Sequence, residues 1–339
     1  MSYMCKLLYS QLFGNLPYPK SDFKDQVIIV TGSNTGLGYE AVKHLLRLGV
    51  AKVILAVRNT EKGDDARNYL VNECICDPAR IEVWLLNLAN FESIRNFGER
   101  VKTLPRLDAV IQNAGILTYE WKVEEGYESH VAVNVLGAVL LGLNVLPKLR
   151  ETAAATGMTG RLSFVGSDMM LIAKFEELKK AETGVLVAAM CDENISNIQD
   201  RYGTSKLFLF VLVRALAKMS PLGPTSNVVI NDCSPGACKT NIFRDDMGWM
   251  KKMAMSVMIG MMARSAKYGS RELINAIKPE IEREAHGKFL WNCEIADPGP
   301  HFDSSNAAND AWHEQLVEEV FRIMEEIQPG VTQNATPSN

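Results

Sequence analysis

Six short apolar runs, at Gln26–Val30, Lys52–Val57, Ile81–Leu86, Leu107–Ile111, Arg161–Val165 and Asn227–Asn231, alternate with helix-length segments along this chain. No other feature constrains the fold as strongly. Runs this short and this uniformly apolar suit strands buried on both faces, and parallel strands need long crossovers between them. Helical spacing at Leu37–Leu48, Glu61–Cys74, Phe91–Val101, Glu124–Leu149 and Tyr202–Met219 supplies those crossovers. The pattern predicts an α/β fold with a doubly wound parallel sheet and helices on both faces. A length of 339 residues would by itself suggest about two domains. The alternation nevertheless runs unbroken past residue 230, which favours one catalytic domain over residues 24–295. An extension at 1–23 closes with Leu16-Pro17-Tyr18-Pro19, which cannot continue a helix. A second extension covers 296–339, and its tail from Gly330 lacks apolar periodicity and is expected to fray.

The first apolar run leads directly into Gly32, Ser33, Asn34, Thr35, Gly36, Leu37 and Gly38, and then into an amphipathic helix. Glycines allow a tight turn and close approach to a pyrophosphate, while the helix start offers unpaired N–H groups and a positive dipole end. A plain glycine-rich loop is the bland alternative, but the strand-turn-helix context favours a Rossmann-type dinucleotide site. Such folds place an acid about twenty residues further on for the ribose hydroxyls of NAD. Here Val57-Arg58-Asn59 stands at that point. An Arg can pair with a 2′-phosphate, so Arg58 favours NADP(H).

Tyr202-Gly203-Thr204-Ser205-Lys206 opens the last helical segment and places a phenol and an ammonium one turn apart on the same face. A neighbouring cation favours phenolate and brings the Tyr closer to acid/base use near neutrality. Such pairs also occur on ordinary exposed helices. What strengthens this one is its company: TGSNTGLG at 31–38, QNAG at 112–115, VNVLG at 133–137, YGTSK at 202–206 and PGACKT at 235–240. In order and spacing these motifs resemble the short-chain dehydrogenase/reductase family, over residues 24 to about 295. The Pro17-Tyr18-Pro19 lead-in, the Val57-Arg58 pair and the string DRYGTSKL most resemble the retinol-dehydrogenase-like branch and its fungal relatives.

The resemblance implies roles. Tyr202 would be the general acid/base, Lys206 would bind the nicotinamide ribose and lower the Tyr pKa, Asn134 would support a proton relay, and Ser167 would orient and polarise a carbonyl. Asn87 and Leu88 would lie beside the adenine. Asn113, Ala114 and Gly115, with Pro235, Gly236 and Thr240, would complete the cofactor contacts. Three departures stand out. Asn87 replaces the usual Asp, Gln112 replaces the usual first Asn, and 35 positions separate Ser167 from Tyr202 where relatives have about a dozen residues. Residues 168–200 are therefore an insertion, either shaping the substrate site or ornamenting the surface.

Charge and cysteine content narrow the partners. Lys plus Arg is 36 against 40 acids, and the net charge of −4 comes with no basic stripe, so nucleic acid is not expected. Seven cysteines, lacking zinc-site spacing, point to free thiols in a reducing compartment and to no structural metal. The first twenty residues carry no signal-peptide core, so a cytoplasmic location is expected and the Asn-x-Ser/Thr triplets at Asn194 and Asn334 carry little weight. Seven methionines between Met247 and Met262 suit an irregular apolar ligand, within a lid expected over 241–265. Core packing and an interfacial helix are the alternatives, which leaves peripheral membrane contact, like a homodimer, open. The leading expectation is an NADPH-dependent reductase of a ketone or aldehyde of a lipophilic small molecule, reversible with the alcohol and suited to a biosynthetic pathway. Its rival is a dinucleotide-binding scaffold with lost or repurposed chemistry, such as a regulator or a non-redox rearrangement catalyst.

Overall fold

The computed structural model describes residues 3–179, 185–223, 226–239, 263–303 and 305–337. Its main sheet comprises β1 (Val27–Thr31), β2 (Lys52–Val57), β3 (Ile81–Leu85), β4 (Ala109–Gln112), β5 (Gly160–Val165), β6 (Val228–Ser234), β7 (Phe289–Trp291) and β8 (Glu294–Ala296). The spatial order is β8-β7-β6-β5-β4-β1-β2-β3, and every adjacent pair is parallel except β7 with β8. β1 therefore lies between β2 and β4, where the winding reverses, and a crevice opens beyond the carboxyl ends of the strands at such a point.

The strand residues alternate between two cores, with Ile28 and Val30 facing one and Val27 and Ile29 the other. On the first face lie α2 (Gly36–Arg47), α3 (Thr60–Cys74) and α8 (Ala266–Asn275). On the second lie α4 (Phe91–Lys102), α5 (Ala138–Thr156), α7 (Arg201–Met219) and α9 (Ala307–Ile327). Two further helices, α1 (Tyr3–Phe13) and α6 (Leu186–Met190), lie outside this winding order. The stretch Val131–Thr156 is long and apolar enough to cross a membrane, but 94% of its apolar window is buried here, so its hydrophobicity serves the core.

Two expectations need correcting, and one choice left open is narrowed. Residues 124–128 do not belong to the helix expected from Glu124. They form a hairpin of Val123–Glu124 with Tyr127–Glu128, because Glu125 and Gly126 both take positive φ, at 53° and 85°. The tail after Gly330 does not fray over its described part. A 3₁₀ turn spans Val331–Ala335, Val331 and Ala335 are buried, and Arg150 donates to the carbonyls of Asn334 (2.7 Å), Ala335 (2.7 Å) and Thr336 (3.2 Å). One guanidinium satisfying three chain-end carbonyls does what apolar periodicity could not. Finally, the insertion is no surface ornament: Phe175 packs edge-on against Phe208 and Trp312, and the Val187 N–H donates to the Glu319 carboxylate.

Glu272 of α8 is fully buried, and its Oε2 accepts the Cys293 N–H at 2.7 Å. Burial pushes its carboxyl up to about 7 from 4.5. The folded protein thus holds this proton more tightly than the unfolded chain. The resulting stabilisation is complete below the unfolded value and is lost as pH rises through about 7. Relative to a Glu272→Gln variant, wild type should lose on the order of 2–3 kcal/mol of unfolding free energy between about pH 5 and about pH 8. Urea denaturation at both pH values checks this, and parallel behaviour of the two proteins would refute it.

Candidate active site

Every motif singled out above and described in the structure lies at the carboxyl end of a main-sheet strand or on a helix facing that edge. After β1 the chain turns at Gly32 and Gly36, both at φ +63°, and α2 begins at Gly36. Gly38 meets this turn so closely that a Cβ there would sit 2.7 Å from both the Gly32 carbonyl and Asn113 Nδ2. The Asn113 amide donates to the Thr31 carbonyl at 2.9 Å, and the Ala114 N–H donates to Thr31 Oγ1 at 2.8 Å. QNAG thereby braces the glycine turn, and Ser33 ties back to the Val30 carbonyl at 2.8 Å. Asn34, Thr35 and Leu37 remain at least partly exposed along the turn.

Arg58 follows β2 with its side chain exposed, and Asn59 caps α3 by accepting the Lys62 N–H at 2.8 Å. Asn87 follows β3, where its Oδ1 accepts the Ala89 N–H, while the adjacent Leu88 side chain is buried in the core. After β6, Gly236 takes φ +72° and the Pro235 carbonyl accepts from Arg264. Thr240 and the methionines at 247–262 lie outside the described residues.

The reacting groups converge from β5, α7 and the helix before α5. Ser167 lies two residues beyond β5 and caps the turn Asp168–Ile172, and its hydroxyl hydrogen-bonds the Tyr202 phenol. Lys206 Nζ lies 5.8 Å from the centre of the Tyr202 ring and donates to the Val165 carbonyl at 2.7 Å. Asn134 sits in a π-helical turn, Val131–Gly137, a geometry frequent at functional sites. Its amide pairs with both backbone groups of Ile116, at 2.9 and 3.0 Å, and donates to Ser205 Oγ at 3.1 Å. Gly115 lies between Asn134 and Lys206: a Cβ there would be 3.1 Å from Asn134 Oδ1 and 3.6 Å from Lys206 Nζ.

One electrostatic expectation is reversed. Burial pushes the Tyr202 phenol up to about 12, outweighing the Ser167 hydrogen bond that lowers it. Lys206 does not pull it below 10, because the ammonium is turned toward the Val165 carbonyl and is itself brought down to about 8 by burial. In this state the phenol is a firmly held proton donor. Other site residues carried no sequence signal that spacing could isolate. Asp168 is buried behind Ser167 with its carboxyl raised to about 6 by burial, and Asp232 is buried on β6. His130 sits edge-on to Tyr202 with 6.5 Å between ring centres, its Nδ1 held by Glu128 at 2.8 Å. The only local hint was that Arg201 and Tyr202 adjoin in DRYGTSKL.

The arrangement is matched by known proteins. The profile of the short chain dehydrogenase family covers residues 26–175. A short chain dehydrogenase/reductase, dmxR8 of Cryptosporiopsis sp., is 36% identical over 333 residues, spanning 96% of this chain and 99% of that protein. The chain belongs to the short-chain dehydrogenase/reductase family. Another member, the short chain dehydrogenase atnD of Emericella nidulans, is 38% identical over 291 residues, covering 85% of this chain and 90% of its own length. Among solved structures, a short chain dehydrogenase from Shigella flexneri complexed with NADP superposes with a TM-score of 0.55 at 20% identity, over 80% of this chain and 98% of its own. A protein from Mycobacterium paratuberculosis reaches a TM-score of 0.60 at 21% identity, over 89% and 95%. These structural likenesses concern the fold. As a short-chain dehydrogenase/reductase, this protein is an oxidoreductase.

Proposed function

We propose that this protein reduces a ketone or aldehyde of a lipophilic small molecule with NADPH, reversibly with the alcohol. The observation that carries the reading is the meeting of Tyr202, Ser167, Lys206 and Asn134 at the same sheet edge as the glycine turn. The residues fit a dinucleotide: Gly32, Gly36 and Gly38 keep the turn free of side chains, and Arg58 stands exposed where an acid would repel a 2′-phosphate. Structures of family members from Shigella flexneri and Sphingobium yanoikuyae were solved with NADP and NADPH, which supports the same choice. Asn87, Asn113, Ala114, Gly115, Pro235 and Gly236 would line the rest of that cofactor site, and Thr240 would close it.

The nicotinamide, when bound, supplies the hydride. The chain's own groups handle the proton and the charge. Ser167 would hold the carbonyl oxygen, Tyr202 would donate the proton to it, and Lys206 would stabilise the phenolate left behind. A phenol raised to about 12 by burial keeps its proton at neutral pH, which suits the reductive direction. Asn134, bonded to Ile116 and Ser205, would anchor the path that returns a proton to Tyr202. The apolar character of the substrate is supported by Met169, a flexible thioether 44% exposed two residues beyond Ser167.

A panel of carbonyl compounds followed by the loss of reduced-nicotinamide absorbance tests the reaction, and failure of every aldehyde and ketone to oxidise NADPH would reject it. Cofactor choice has its own test. Arg58→Ala should weaken NADPH binding by about ten- to a hundredfold and leave NADH binding nearly unchanged, the span expected for a hydrogen bond to a charged group. Equal wild-type affinities for the two cofactors would show that Arg58 does not read the phosphate.

A further inference from the structure

The extension before the first strand takes no part in the proposed chemistry, yet its helix α1 reaches the loop that follows β6. The Gln11 side-chain amide pairs with both backbone groups of Ala237: its Nε2 donates to the Ala237 carbonyl at 2.9 Å, and its Oε1 accepts the Ala237 N–H at 3.0 Å. The same carbonyl accepts the Arg264 N–H at 2.9 Å, where Cys238–Lys239 pairs in parallel with Arg264–Ser265. Ala237 is thus held from two sides. A side-chain amide that meets a backbone donor and acceptor together stands in for one more strand residue. The surrounding chain is shaped for this approach. Gly236 takes φ +72°, and a Cβ there would lie 2.8 Å from Gln11 Oε1 and 3.2 Å from Arg264 Nη1, so a glycine is needed for both side chains to arrive. Arg264, 7% exposed, then gathers three segments: its Nη1 donates to the Pro235 carbonyl at 3.2 Å, and its Nη2 donates to the Ser10 carbonyl at 2.7 Å and to Asn292 Oδ1 at 2.9 Å. Asn292 closes the ring by donating to Ser10 Oγ at 2.7 Å. These charge-assisted bonds fix the end of α1 against the loop.

We infer that Gln11 is a positioning residue for cofactor binding, holding the Pro235-Gly236-Ala237 turn in the form that receives the dinucleotide. The inference rests on the proposed cofactor role of Pro235 and Gly236. Ala237 is exposed, so without the Gln11 amide its N–H would turn to water and the turn would lose one of its two braces. Ordering would then be deferred to the binding step. A loop that must be ordered on binding gives a lower affinity than one ordered beforehand. The two bonds go to the cofactor loop and not to Tyr202 or Lys206, so the effect belongs to binding rather than to proton transfer.

Two measurements test the assignment. Gln11→Met keeps the length of the side chain and removes both bonds. It should raise the NADPH dissociation constant, read by fluorescence titration without turnover, about three- to tenfold, while kcat at saturating NADPH changes less than about twofold. Leu12→Ala, on the outer face of the same helix and 58% exposed in wild type, should leave the dissociation constant essentially unchanged. An unchanged constant in Gln11→Met overturns the inference, and so does an equal rise in Leu12→Ala, which would assign the effect to helix docking in general. The second measurement needs no cofactor. In Gln11→Met the Ala237 amide should exchange with deuterium about fivefold faster than in wild type or more, while the β6 amides stay protected. No acceleration at Ala237 overturns the inference as well. Wild type that binds neither NADPH nor NADH would reject the reductase reading and the cofactor role together, whereas exchange at Ala237 reports the brace alone, so the two failures are told apart.

Discussion

Tyr202→Phe should lower kcat by about 10²–10⁴-fold while changing the dissociation constant of NADPH less than about threefold. The change removes one oxygen and keeps the ring, so the edge-on contact with His130 and the 5.8 Å approach of Lys206 to the ring are retained. What disappears is the proton donor and the hydrogen bond with Ser167. The Ser167 hydroxyl still accepts the Met169 N–H at 3.2 Å, which holds the turn in place, so the loss is chemical rather than architectural. Steady-state kinetics on a substrate found by the panel, paired with a cofactor titration, separates the two effects. A variant with near-normal turnover would remove Tyr202 from the acid/base role. Loss of cofactor binding on the same scale as kcat would mean that the phenol serves binding instead.

The parts of the fold legible in the sequence are those governed by local pattern. Uninterrupted apolar runs such as Lys52–Val57 could only be strands buried on both faces, and β2 has those bounds in the structure. The glycine turn was legible because positive φ at Gly32 and Gly36 is a property of the residue type itself. Long-range satisfaction was not legible. Nothing near Gly330 in sequence announces that Arg150, far earlier in the chain, will bind the tail carbonyls. The hairpin at 123–128 was misread because its apolar residues are too few to break helical spacing, although Glu125-Gly126 supplied the turn. Within the site, motif positions located Tyr202 and Lys206, but the sign of the phenol's shift depended on burial, which spacing does not encode. Asp232 was hidden for the same reason, since a carboxylate in a strand run reads as a strand end until the sheet closes over it.

Arg201→Leu should cost about 3–5 kcal/mol of stability, the range for breaking a buried ion pair by removing one partner. Arg201 is fully buried, one residue before Tyr202, and its guanidinium lies 3.5 Å from Glu128 of the hairpin and 4.0 Å from Glu177 of the insertion. It also donates to the Met190 carbonyl of α6 and stands over the Trp121 ring at 5.3 Å. Deleting the cation strands two buried acids. Glu128 retains help from the His130 ring and from the N–H groups of His130 and Val131, so the heavier penalty falls on Glu177, whose Oε2 has no hydrogen-bond partner among the described residues. The neighbouring Asp200 still holds the insertion by accepting the Lys174 and Phe175 N–H groups at 2.8 and 3.0 Å, so the helix start should survive while the clamp loosens. This origin of the cost makes a second variant decisive. Adding Glu177→Gln to Arg201→Leu removes a stranded charge and should recover at least about 1 kcal/mol, whereas Glu177→Gln with Arg201 present should destabilise. Urea denaturation of the four proteins completes the cycle. Strict additivity of the two changes would mean that Arg201 acts through packing against Trp121 and not as the ionic tie between the insertion and the catalytic helix.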